Sequence, residues 1–147
     1  MIYQILKHFH SELRWIILLL FCISIITSFV KLFRNSGYGS FDSGVFRYLL
    51  TGVHTQVLSG LILYFISPKV IFSAAGFENP VTRFYLIEHI GAMIIAVTIL
   101  TIGYVKVKNS TNDRFRFKNS LWFQLISLMI ILVMIPWPWR SLGGGWI

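Results

Sequence analysis

Four stretches of this chain read as nearly unbroken apolar runs, from about residue 13 to 33, 46 to 66, 84 to 107 and 121 to 137. A helix needs about 20 predominantly apolar residues to cross a bilayer. A barrel strand would be about half that length and would alternate in polarity. These runs do not alternate, so they predict helices. Asn35, Ser36, Gly37, Gly39 and Ser40 form the first break. Pro68 ends the second run, Asn79-Pro80 precedes the third, and Asn109 to Asn112 follow it. Pro136 and Pro138 stop the fourth, because proline has no N–H to continue the ladder, and Gly143 to Gly145 predict a flexible tail. The first run is longer than an ordinary signal-peptide core, and Phe29, Val30 and Lys31 offer no small-residue cleavage site, so it is read as a span. The expected fold is all-α: an integral membrane four-helix up-down bundle, one transmembrane domain over residues 1–147.

Composition agrees with a lipid environment. Only 12% of residues are charged and 56% are hydrophobic, so too little polar surface exists to keep a globule of this size in water. Any function must lie within the bundle or its short loops. Cys22 is the only cysteine, which excludes an internal disulfide and reads as a small packing residue.

The net charge of +8 marks topology rather than nucleic acid, because the basic residues flank the apolar runs. Lys31, Arg34, Arg47, Lys106, Lys108, Arg114, Arg116 and Lys118 border one side; Lys7, Arg14, Lys69, Arg83 and Arg140 border the other. The richer side is expected in the cytoplasm, which puts both termini outside, in the periplasm of a bacterial inner membrane. Tyr3, Trp15, Trp137, Trp139 and Trp146 gather toward the outer interface, where aromatic rings anchor. Arg114, Phe115, Arg116, Phe117 and Lys118 resemble an RNA-binding stripe but read as a loop held at an anionic membrane surface.

Ionisable side chains are costly in lipid and therefore point to function. The runs contain His54, Glu88 and His89, with His10 and Arg14 at the mouth of the first. Helical spacing puts His10, Arg14, Ile17, Phe21, Ser24 and Ser28 on one stripe, with His8 on nearly the opposite side. His54, Leu58 and Leu61 share a face of the second helix, with Gln56 pointing away. His89, Ala92, Ala96, Ile99 and Gly103 line up on the third, where small residues permit close helix approach. Gln124 and Ser127 give the fourth a polar stripe. From the helical rise, His10 lies ~31 Å, His89 ~25 Å and His54 ~10 Å from the cytoplasmic markers, so His10 and His89 are close in height.

Neutral imidazole is the commonest metal ligand, and bundle cores build cofactor sites from facing helices. A haem between the first and third helices would take His10 and His89 as axial ligands, with Arg14 pairing a propionate. His54 is a third candidate, as ligand or proton-relay group. The rival reading is a copper, zinc or iron ion held by His10, His54, His89 and Glu88, in a metal-binding or metal-transport protein. Glu88 and His89 diverge by about 100°, so Glu88 is equally readable as a group that orients a ligand histidine, or as a partner of Arg14 or Arg83. A third reading is a structural subunit or assembly factor whose polar residues only lock helices together.

The runs His10-Ser-Glu-Leu-Arg-Trp15, His54-Thr-Gln with Ser59-Gly-Leu-Ile-Leu-Tyr64, Arg83-Phe-Tyr-Leu-Ile-Glu-His89 and Ile135-Pro-Trp-Pro-Trp-Arg140 resemble small four-helix membrane proteins of Bacteroidetes labelled cytochrome b. The resemblance spans nearly the whole chain. It implies a b-type haem and electron transfer, carried onto His10, His54 and His89, with quinone or a redox protein as partner. The chain is also broadly similar to di-haem four-helix cytochromes that exchange electrons with quinone. Four histidines, with none in the fourth span, limit the expectation to one haem unless Met129 or Met134 acts as an axial ligand. No CxxCH occurs, so covalent c-type attachment is excluded. No catalytic residue is assigned; any enzymatic chemistry would come from the cofactor.

Overall fold

The computed structural model describes residues 1–146. Its elements are helices: α1 (Ile2–Phe33), α2 (Ser40–Ile66), the short α3 (Ala75–Glu78) and α4 (Pro80–Arg83), α5 (His89–Lys108) and α6 (Asp113–Met134). A π-helical turn at Phe84–Glu88 joins α4 to α5, so Pro80–Lys108 is one rod. Among the described residues, four helices are long and apolar enough to cross a membrane.

Local chemistry sets where each begins. Asp42 accepts from the Gly39 amide at 2.8 Å, closing the first turn of α2, and also holds Lys31 of α1 at 2.7 Å. Asn79 accepts from Val81 N ahead of Pro80, and Asn112 accepts from Phe115 N at the start of α6. All four start earlier than the apolar runs, at Ile2, Ser40, Pro80 and Asp113, because polar residues continue the backbone ladder. Only lipid contact, not helix formation, requires an apolar side chain.

Among the long helices, α1 packs on α2 and α6, and α5 packs on α2 and α6. α1 and α5 therefore stand opposite one another. The core between them holds Ile17, Phe21, Phe46, Leu49, Val53 and Leu100. Its other buried members include Ser24, Ser28, Ser120, Gln124 and Ser127. The outer surface is the reverse: Leu19 is 60% exposed, Leu58 62%, Phe65 73% and Met129 61%. Leucine and phenylalanine thus cover the exterior as well as fill the core, where serine and glutamine join them, a pattern compatible with lipid around the helices.

The expected stripe of α1 is its buried face, since Ile17, Phe21, Ser24 and Ser28 are the buried residues there. Gln124 and Ser127 are likewise buried on α6. The second helix is turned the other way: His54 and Leu58 are exposed, and Val53 and Ser59 are buried. Gln56, one residue pair along from His54, is the polar group that faces the bundle.

The expected loose tail is pinned. Arg14 Nη2 donates to the Trp146 carbonyl at 2.7 Å, Trp15 Nε1 to the same oxygen at 3.0 Å, and Lys69 Nζ to the Gly143 carbonyl at 2.6 Å. A side chain at Gly144 would overlap the Pro136 carbonyl, so only glycine lets the tail lie against the end of α6.

Candidate functional site

Four helical ends and the folded-back tail enclose a cavity of about 190 Å³. His10, Arg14 and Lys7 of α1 reach it, with Gln56 of α2, His89 of α5 and Ile135 after α6. Its deeper wall is apolar, built from residues such as Leu18, Val53, Val57 and Met93.

The Pro136–Arg140 segment positions His89. A helix carbonyl normally accepts from the N–H four residues on, but the partners of Leu132 and Met134 are Pro136 and Pro138, which have none. Two buried acceptors are left over. Trp137 Nε1 donates to the Leu132 carbonyl at 2.9 Å, and His89 Nδ1 donates to the Met134 carbonyl at 2.8 Å. Arg140 Nη1 donates to the Val133 carbonyl at 2.6 Å, completing the last turn.

The carbonyl can only accept, so His89 carries its proton on Nδ1 and keeps a lone pair on Nε2. His10 is fixed in the same tautomer by a different route. Ser59 Oγ donates to the Gln56 carbonyl at 2.9 Å, so its remaining role toward His10 Nδ1, also at 2.9 Å, is as acceptor. Gln56 Nε2 ties the two helices further by donating to the His10 carbonyl at 2.8 Å. Gly60 gives the imidazole its place: a Cβ there would stand 3.1 Å from His10 Cε1. Among the described residues neither Nε2 makes a hydrogen bond within the protein.

The π turn explains why Glu88 and His89 part company. Five residues separate hydrogen-bonded partners in a π turn, and the His89 amide accordingly bonds to Phe84 O. The same spacing brings Arg83 Nε to Glu88 Oε1 at 2.8 Å. Glu88 is thus committed to Arg83 on the outside, half-exposed, while His89 turns inward against Phe84 with ring centroids 5.6 Å apart. The turn also leaves the Leu86 carbonyl to accept from Tyr64 Oη at 3.0 Å, which fastens α2 to this rod.

Of the residues expected from sequence, His10, His89 and Arg14 share the cavity. His54 and Glu88 are not among its lining residues. His54 is exposed on α2 and donates to the Leu50 carbonyl of its own helix at 2.8 Å. Met129 and Met134 do not line it either. No group of three or more His, Cys, Asp and Glu side chains comes together among the described residues, so the four-ligand ion site is not assembled. Gln56 and Ser59 are the additions that the sequence reading did not make. Their signal was present: Gln56, Ser59, Gly60 and Ser67 recur at helical spacing as small or polar positions, whereas the His54 face continues into Leu58 and Leu61.

Arg14 lies where an anionic group of a ligand would meet it. Its guanidinium carbon is 5.2 Å from the Trp15 ring and 6.0 Å from that of Trp137, and its Nε is buried without a partner. His10 and His89 thus line the cavity from opposite helices with their Nδ1 atoms engaged, and Arg14 lines it beside them. No protein-family model matches this chain, and neither a curated protein nor a solved structure is similar to it.

Proposed function

We propose that this protein is a b-type cytochrome of the bacterial inner membrane, an up-down four-helix bundle that binds one haem through His10 and His89 and transfers electrons. The observation that carries the reading is the pair of histidines on opposed helices α1 and α5. They line one cavity, and each has Nδ1 donated to a fixed acceptor and Nε2 free. Ligand histidines characteristically use their second nitrogen in this way, which sets the tautomer and raises the basicity of the donor.

Ligand count favours haem over a bare ion. A protein zinc site takes three or four side-chain ligands, and this cavity brings together two histidines. A porphyrin supplies four donors itself and needs only the axial pair. The residues present therefore fit the group: two neutral imidazoles, a glycine at Gly60 that clears the ring of His10, apolar walls for the macrocycle and Arg14 for a carboxylate.

When bound, haem supplies one-electron redox chemistry. The chain's part is to hold and tune it. His10 and His89 would be the residues that hold it, and two such ligands would suit electron transfer rather than ligand activation. Ser59 and the Met134 carbonyl hold the two Nδ1 protons, so neither imidazole rotates or switches tautomer. Leu18, Val53, Val57 and Met93 give the site an apolar wall, and membrane quinone is the proposed exchange partner. Purification from haem-replete cells tests the assignment. The wild type and His54→Ala are expected to carry haem with a Soret band, and His10→Ala and His89→Ala to lose it. A colourless wild type, or one that holds stoichiometric copper, zinc or iron instead, contradicts the proposal.

A further inference from the structure

The mouth of the cavity is more basic than one carboxylate needs. Lys7, Arg14 and Lys69 all line it, and no Asp or Glu does. Lys7, His10 and Arg14 follow one another at three and four residues along α1, so two cations flank His10 on its own face. Lys69 enters from the segment after α2. The cations form two groups, because the tail runs between them: Arg14 contacts the Gly145 and Trp146 carbonyls, and Lys69 contacts the Gly143 carbonyl.

These contacts leave donors to spare. An ammonium has three N–H groups and a guanidinium five. Lys69 uses one on Gly143, its ammonium also standing 4.8 Å from the Tyr85 ring. Arg14 keeps a buried, unpartnered Nε. Lys7 forms neither hydrogen bond nor ion pair with the described residues, yet it is half-buried. Burial, and then the neighbouring charge of Lys7, hold the Lys69 ammonium below the usual lysine range. Glu12 acts on Arg14 from outside the lining, but the like charges gathered in the partly dry mouth itself raise the free energy of the empty site, and an anion there lowers it.

We propose that Lys7, Arg14 and Lys69 form a two-point carboxylate rim, so that the ligand of this cavity presents two carboxylates, one to Arg14 and one to the Lys7–Lys69 pair. The inference rests on the haem reading and deepens it: the two propionates of protoporphyrin IX meet separate cationic points on either side of the tail. Arg14 offers a planar fork and the lysines offer point charges. The tail carbonyls at Gly143 and Trp146 hold these cations in place before the ligand arrives.

The test compares haem with its dimethyl ester, which keeps the iron and the macrocycle but removes both carboxylate charges. Each is titrated into the haem-free full-length protein in detergent and read by absorption. The wild type is expected to bind the ester about tenfold or more weakly than haem, the scale of a lost charge-assisted hydrogen bond. In Lys7→Gln/Lys69→Gln that preference shrinks, haem affinity falling toward that of the ester. Unchanged ester affinity shows that the double variant is folded; if it does not fold, the wild-type comparison and Lys7→Gln alone decide. Equal wild-type affinity for haem and ester, both with six-coordinate spectra, overturns the rim and leaves the axial pair standing. Failure of both porphyrins to give a six-coordinate spectrum overturns the rim and the haem reading together.

Discussion

His10 owes its usefulness to three neighbours, none of which is itself a ligand type. Ser59 fixes its proton, Gln56 ties its backbone to α2, and Gly60 leaves room for its ring. Gly60→Ala is therefore expected to act on the histidine. The new methyl, at 3.1 Å from Cε1, must displace the imidazole, at a cost of about 1–3 kcal/mol for an overpacked position. Thermal unfolding should show that loss, with weaker haem binding beside it; an unchanged midpoint and affinity would mean that the ring is not confined there. At this scale the sequence was partly legible. The stripe from His10 to Ser28 could be read because serine every third or fourth residue in an otherwise apolar helix marks its inner face. His54 misled because a histidine outranks a glutamine as a ligand type. Its Nδ1 finds an acceptor on its own helix, at Leu50, and so it has no need of the core.

The ends of the helices decide what their middles do. Pro136 and Pro138 read from sequence as a stop to α6; that they also create acceptors for Trp137 and His89 follows only once the helices are packed. Pro136→Ala/Pro138→Ala removes both helix breaks, so that α6 can run on and the amide at 138 competes for the Met134 carbonyl. Haem affinity is expected to fall about 10-fold or more, as for loss of the group that orients a ligand histidine. A haem titration checks it, and an affinity equal to wild type would separate His89 from that carbonyl. The π turn at Phe84–Glu88 was not legible, since nothing in a run of apolar residues distinguishes a four-residue from a five-residue hydrogen bond. It nevertheless decides that Glu88 meets Arg83 while His89 meets the core. The inner half of α6 carries a different kind of residue. Gln124 is fully buried, and both of its amide atoms lack partners among the described residues. Gln124→Leu removes two unpaired polar atoms at similar volume, so it is expected to raise stability by about 1–3 kcal/mol in thermal unfolding. A lower midpoint would show that the amide has a partner such as internal water.

For the molecule as a whole, the exterior is as apolar as the core. Among the described residues, seven polar side chains are buried beside a larger apolar set, while leucine, isoleucine and phenylalanine also cover the exterior, which is compatible with a bilayer. The two ends differ as well. Trp15, Trp137, Trp139 and Trp146 cluster around Arg14 at the end that bears the cavity, with Trp137 and Trp139 stacked at 5.0 Å. The opposite end holds the Lys31–Asp42 pair and Arg116 over Tyr38 at 3.9 Å. Length and hydropathy made the four helices legible; the cavity was not, because it depends on a tail that folds back over the bundle, and glycine-rich sequence signals only freedom. The central claim concerns the two axial ligands. The most direct measurement is near-infrared magnetic circular dichroism of the oxidised, detergent-purified protein, in which the charge-transfer band of low-spin ferric haem reports the axial pair. One haem per chain is expected, with a bis-imidazole band that is unchanged in His54→Ala. A histidine–methionine band, a high-spin spectrum or a protein without haem would contradict it.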